Sequence, residues 1–115
     1  MKCENLDVCE RSCRLSVEIC KYFKEFKDYG FKDQITRSAL SISSNIAEEM
    51  EKESNKDKVK FLNIAEDSIA ELITQIYIRI EIGYIRKEVG LDWKNELNEI
   101  IKMLRGLKKS LKRER

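Results

Sequence analysis

The chain has 115 residues, 42 % apolar and 38 % charged, without proline or histidine. That is enough chain for one core, too apolar for disorder and too charged for a membrane-embedded protein. The absence of histidine excludes Ser-His and Cys-His nucleophile pairs, the Glu-x-x-His di-iron motif of bundle enzymes and His-ligated zinc. The net charge is only +2, but it is unevenly spread. From position 102 onward seven cations (Lys102, Arg105, Lys108, Lys109, Lys112, Arg113, Arg115) meet one carboxylate, Glu114, a net +6 that leaves −4 for the rest. No apolar run approaches the roughly 20 residues of a bilayer span. The opening MKCENLDVCE has no apolar segment of the signal-peptide kind, so a cytoplasmic location is expected.

Four helical stretches are predicted in chain order. The first covers residues 6–27, with Asn5 as N-cap and the stripe Leu6, Cys9, Cys13, Val17, Cys20 and Phe23. Gly30, in Tyr29-Gly30-Phe31, is assigned the left-handed position that ends it. The second covers 33–52, with Ile35, Ala39, Ile42, Ile46 and Met50 on one face. Ser54 opens the third, with Asp57 three residues on as a capping-box-like partner. Its stripe is Leu62, Ala65, Ile69, Ile73, Ile76 and Ile80, and it ends near Gly83. The fourth begins at Asp92, an N-cap, and carries Trp93, Leu97, Ile100, Leu104, Leu107 and Leu111 into the basic tail. Short connections between helices of similar length predict an all-α, antiparallel, up-down-up-down four-helix bundle, one domain over 1–115 with a basic tail at about 102–115.

The third helix has apolar residues on a second face. Ile64, Ile78 and Ile82 point roughly opposite Leu62 and Ile80. In so small a protein such a face is expected to meet another subunit, so these three are the candidate oligomer interface.

Three clusters invite a functional reading. Cys9, Cys13 and Cys20 fall within about 40° of one another on a helix. Their spacing is not the C-x-x-C of zinc sites and they lie in the apolar stripe. They read as small core hydrophobes, reduced and metal-free, with no disulfide expected. The acidic residues Glu48, Glu49, Glu51 and Glu53, with Glu66, Asp67 and Glu71, lack the facing repeat that a Mg²⁺ site needs and read as a solvated face. Ser38, Ser41, Ser43, Ser44 and Asn45 crowd the middle of the second helix. Such side chains compete for backbone hydrogen bonds there, so bonds to a neighbouring helix or a kink are expected. No catalytic residue, metal ligand or cofactor is assigned.

The run Ser41-Ile42-Ser43-Ser44-Asn45-Ile46-Ala47-Glu48 is followed by Phe61-Leu62, Ala65, Ser68 and Glu71-Leu72, then Gly83-Tyr84-Ile85. Together these resemble a bacterial four-helix-bundle family first met as proteins encoded in intervening sequences of large-subunit rRNA genes. The family includes the accessory protein of diversity-generating retroelements. The resemblance spans nearly the whole chain, and Gln34 and Arg37 match a Gln-x-x-Arg pattern at the start of the second helix. Ser43 stands where the family usually has proline, Glu49 where it has glycine, and Asp67 replaces a common glycine. The first change predicts a less kinked second helix. The other two add negative charge in a region that relatives often follow with basic residues, which counts against a nucleic-acid surface there.

The resemblance implies a barrel-like homopentamer with a non-enzymatic role, binding RNA or DNA or a nucleic-acid-handling partner such as a reverse transcriptase. The basic segment supplies the candidate phosphate contacts, Arg105, Lys108, Lys109, Lys112 and Arg113. The alternatives are a protein-interaction scaffold and, last, a small Mg²⁺-dependent nucleotide hydrolase.

Overall fold

The computed structural model describes residues 7–113. Four helices follow one another: α1 (Asp7–Tyr22), α2 (Tyr29–Met50), α3 (Asn55–Glu81) and α4 (Lys87–Arg113). Each packs on its neighbour in sequence, and α1 closes the ring against α4. The bundle measures 47 × 22 × 21 Å, and a helix of 27 residues at 1.5 Å per residue accounts for about 40 Å of the long axis. No helix among the described residues is long and apolar enough to cross a membrane.

The core is where the apolar stripes meet. Ile35, Ala39, Ile42 and Ile46 of α2 are buried, as are Leu62, Ala65, Ile69 and Ile76 of α3 and Trp93, Leu97, Ile100 and Leu104 of α4. Leu72 joins them, although it lies off the predicted α3 stripe. Leu107 and Leu111 are half-buried, so the α4 stripe runs out of partners towards its C-terminus.

On α1 the predicted face is wrong by roughly a quarter turn. The buried set is Val8, Cys9, Ser12, Leu15, Ser16, Ile19 and Phe23, whereas Val17 is 51 % exposed and Cys13 and Cys20 are half-buried. The cause is the two serines. Ser12 Oγ donates to the Cys9 carbonyl at 2.9 Å. Ser16 Oγ lies 2.9 Å from the Ser12 carbonyl, 3.1 Å from the Ala39 carbonyl and 2.8 Å from Ser43 Oγ. Hydroxyls satisfied in this way are small enough to be buried, and they mark the core face as well as a cysteine does. Cys9 is moreover disulfide-bonded, against the expectation of three reduced thiols. Arg11 clamps α1 to α4, its Nε donating to Glu96 at 2.8 Å with a second bond from Nη2. That bond holds the Glu96 carboxyl below its usual range, outweighing the burial that raises it.

The helix ends also depart from expectation. α1 stops at Tyr22, and Gly30 lies inside the first turn of α2 rather than ending α1. Asp28 is the N-cap there, accepting from Phe31 N at 3.5 Å. The left-handed glycine is Gly83, at φ 83°. Gly83 N donates to the Ile80 carbonyl and Tyr84 N to the Arg79 carbonyl, the paired bonds of a Schellman cap on α3. Ser54 caps α3 as predicted, accepting from Asp57 N at 3.1 Å. α4 begins at Lys87, five residues before the predicted cap Asp92, and that extra turn packs Gly90 against α3. The Asn5 cap and Leu6 lie outside the described residues.

Gly90 marks a close approach of α4 to α3. A Cβ there would sit 2.4 Å from Ile80 Cδ1 and 2.8 Å from Ile80 Cγ1, whereas at Gly106 it would meet nothing within 4 Å. Two alanine substitutions in one helix should therefore differ in sign. Gly90→Ala should destabilise by about 1–3 kcal/mol through overpacking, and Gly106→Ala should stabilise by up to about 1 kcal/mol through helix propensity. Urea midpoints at constant m-value measure both; equal shifts would contradict the close α3–α4 contact.

Candidate nucleic-acid interface

The basic segment is helical through Arg113. At 100° per residue, Lys109, Lys112 and Arg113 lie roughly 100–200° away from the Leu104-Leu107-Leu111 line, and all three are exposed. They crown the end of the bundle where α3 begins. Asn55 Nδ2 donates to the Leu111 carbonyl at 3.1 Å and ties the first turn of α3 to the last turns of α4. This brings Lys56 to the same groove as Lys112, about 560 Å³ and lined also by Asn55, Val59 and Leu111. Lys56 is not among the predicted contacts, because only the fold sets it beside the tail.

The other two predicted contacts are differently placed. Arg105 Nε donates to Glu66 Oε1 of α3 at 3.2 Å. Lys108 Nζ pairs with Glu66 Oε2 and donates to Asn63 Oδ1 at 2.8 Å. Arg105 is largely exposed, but the Lys108 and Glu66 side chains are only 19 % and 16 % exposed. The five cations thus form two groups: three facing solvent and two turned towards a carboxylate on the neighbouring helix.

The predicted oligomer residues also divide. Ile78 and Ile82 are 44 % and 48 % exposed, and Ile64 is half-buried. Glu71 lies between Ile64 and Ile78 on the same side of α3 and breaks the apolar face. Tyr77 and Leu91, exposed aromatic and aliphatic side chains near that end of the hairpin, add apolar surface that the predicted face does not include.

The acidic residues do not converge. Glu49 is buried and pairs with Lys58 at 3.4 Å, Glu48 pairs with Lys52 at 3.0 Å, and Glu71 accepts from Ser38 and Gln75, each at 2.9 Å. Among the described residues no group of three or more Cys, Asp or Glu gathers that could hold a metal ion. Three of the mid-helix hydroxyls bond across the bundle, whereas Ser44 is exposed and Asn45 Nδ2 donates within α2 to the Ser41 carbonyl at 2.8 Å. Ser41 Oγ meets Ser68 Oγ at 2.8 Å, Ser43 meets Ser16, and Ser38 joins Glu71 and Gln75 along the α2–α3 seam. α2 runs unbroken through Ser43.

A family model, that of the 23S rRNA-intervening sequence protein, matches residues 4–106. The chain belongs to this family. A crystal structure of a protein of unknown function from the S23 ribosomal protein family, from Bacteroides thetaiotaomicron VPI-5482, is similar throughout. It has 31 % sequence identity, covers 89 % of this chain and 98 % of its own, and has a TM-score of 0.82. No curated protein matches. The family match takes in Arg105 and ends at Gly106, so Lys108, Lys109, Lys112 and Arg113 lie beyond it. The bundle is what this chain shares with the intervening-sequence family; the last two turns of α4 fall outside the matched span.

Proposed function

We propose that this protein is a non-catalytic, self-associating helical bundle that binds RNA or DNA without sequence preference through the exposed cations of its last helix. One observation carries the reading: Lys109, Lys112 and Arg113 extend into solvent from a continuous helix, with Lys56 of α3 beside them. Helix-borne cations at fixed spacing suit phosphate oxygens, which position a protein on a nucleic acid without reading its bases. Cations in a last turn also favour the negative end of the helix macrodipole, but that effect is confined to the terminal turn and does not account for Lys56 or Lys109. Self-association multiplies the effect, because several copies of the patch engage one polyanion together. The family description supports a nucleic-acid context for the gene.

The proposed contact between copies is the C-terminal half of α3, where Ile78 and Ile82 present apolar surface to solvent. A homopentamer is the assembly that the family resemblance implies. Light scattering should give a mass several times the 13.6 kDa of one chain, and Ile78→Glu with Ile82→Glu should lower it. A monomer persisting at high concentration would rule out self-association.

Binding itself is tested by a salt titration against a random-sequence duplex and a structured RNA. Replacing Lys109, Lys112 and Arg113 together by glutamine should weaken binding equally across sequences. On duplex DNA it should flatten the slope of log affinity against log salt by about 0.9 for each phosphate no longer neutralised. If the triple variant binds as well as the parent, or the parent binds no polyanion even at low salt, the protein is a scaffold that acts through its apolar surface.

A further inference from the structure

Glu66 stands between the two groups of cations. It projects from the middle of α3, one carboxylate oxygen on Arg105 and the other on Lys108. Its remaining exposure is 16 %, and that of Lys108 is 19 %. A pair so far withdrawn from water is screened less by salt than an exposed one. Asn63 also receives a bond from Lys108, but a neutral amide leaves the lysine charge intact. Glu66 is therefore the group that neutralises Lys108, and it partly neutralises Arg105, whose side chain is still 69 % exposed.

A carboxylate bridging two cations offers them what a phosphate would: two oxygens sharing negative charge. We infer that Glu66 is an internal stand-in for phosphate, which occupies Lys108 and, in part, Arg105 in the free protein and leaves Lys109, Lys112, Arg113 and Lys56 as the cations fully open to a polyanion. The inference rests on the reading of the α4 cations as phosphate contacts and adds an autoinhibitory residue to it. A cation held by Glu66 neutralises no phosphate and releases no counterion from the nucleic acid, so it is silent in the salt dependence. Freeing it makes it count.

The test is a set of salt titrations on duplex DNA with the full chain. Glu66→Gln keeps the shape of the side chain and removes its charge. Asp67→Asn, one residue along on an exposed position, makes the same change in net charge without touching the pair. Glu66→Gln should steepen the slope by about 0.9 for Lys108, and by up to as much again for Arg105. Asp67→Asn should leave the slope unchanged. Replacing Lys108 by glutamine should alter the parent slope little, yet cancel its share of the gain in the Glu66→Gln background, a coupling that a double-mutant cycle isolates. Equal slopes for Glu66→Gln and Asp67→Asn would overturn the inference and leave the functional reading standing. So would a flattened slope when Lys108 alone is replaced in the parent, which needs no Glu66 variant at all. Absence of binding by the parent and Glu66→Gln alike would overturn both.

Discussion

Arg79 fastens one end of the bundle. Its side chain is 1 % exposed, and its guanidinium donates to the Phe31 carbonyl at 2.8 Å and to the Gln75 carbonyl at 3.2 Å while lying 4.7 Å from the centre of the Phe31 ring. Burial pulls its pKa down and the negative field of Asp28 pulls it back, and guanidinium stays charged in any protein. The backbone of the same residue does as much. The Arg79 carbonyl accepts from Tyr84 N and Ile85 N, which turns the chain out of α3 and into α4. Tyr84 then closes the circle, its hydroxyl donating to the α2 cap Asp28 at 2.8 Å, and that bond raises the tyrosine pKa. One buried cation thus links the start of α2, the end of α3 and the entry to α4. An uncompensated buried charge is costly, so the link holds only while these carbonyls stay in place.

That fixed end sets the phase of α4. Gly90 pressed on Ile80 and Trp93 packed in an aromatic cluster with Tyr22 and Phe23 fix the rotation of the helix about its axis. About five turns further on, the phase decides which cations face α3 and which face water. Lys108 falls towards Glu66, while Lys109 and Lys112 fall outside. Charge separation in this protein is therefore a consequence of packing at the far end. Most of the residues that carry the family resemblance serve the same packing. Ser41 and Ser68 bond each other, Glu71 receives Ser38, and Gly83-Tyr84-Ile85 forms the α3 cap. They identify a fold, and the proposed function sits elsewhere.

Most of the fold is legible in the sequence, because three of the four apolar stripes repeat at helical spacing and the breaks between them are short. The face of α1 is not, since Ser12 and Ser16 look polar until a neighbouring carbonyl is supplied by the folded chain. Gly30 and Gly83 offer the same signal for a left-handed cap. Only Gly83 takes the role, because Asp28 can cap α2 ahead of Gly30. The early start of α4 is hidden for a similar reason: Asp92 resembles a cap, but the turn before it is held by contacts of Gly90 with α3. At the candidate site all five cations are legible in the sequence, but their division is not. It depends on Glu66, a residue 39 positions from Arg105 in the chain.

On the proposed function, a few exposed amines of the last helix meet the polyanion while Lys108 is held against α3. Amine-reactivity footprinting of the unmodified protein, with and without a random-sequence duplex and read by mass spectrometry, tests this residue by residue. Lys109 and Lys112 should react quickly in the free protein and be protected by the duplex, and Lys108 should react slowly in the free protein. Fast labelling of Lys108, or protection confined to lysines at the opposite end such as Lys24 and Lys27, would contradict that arrangement.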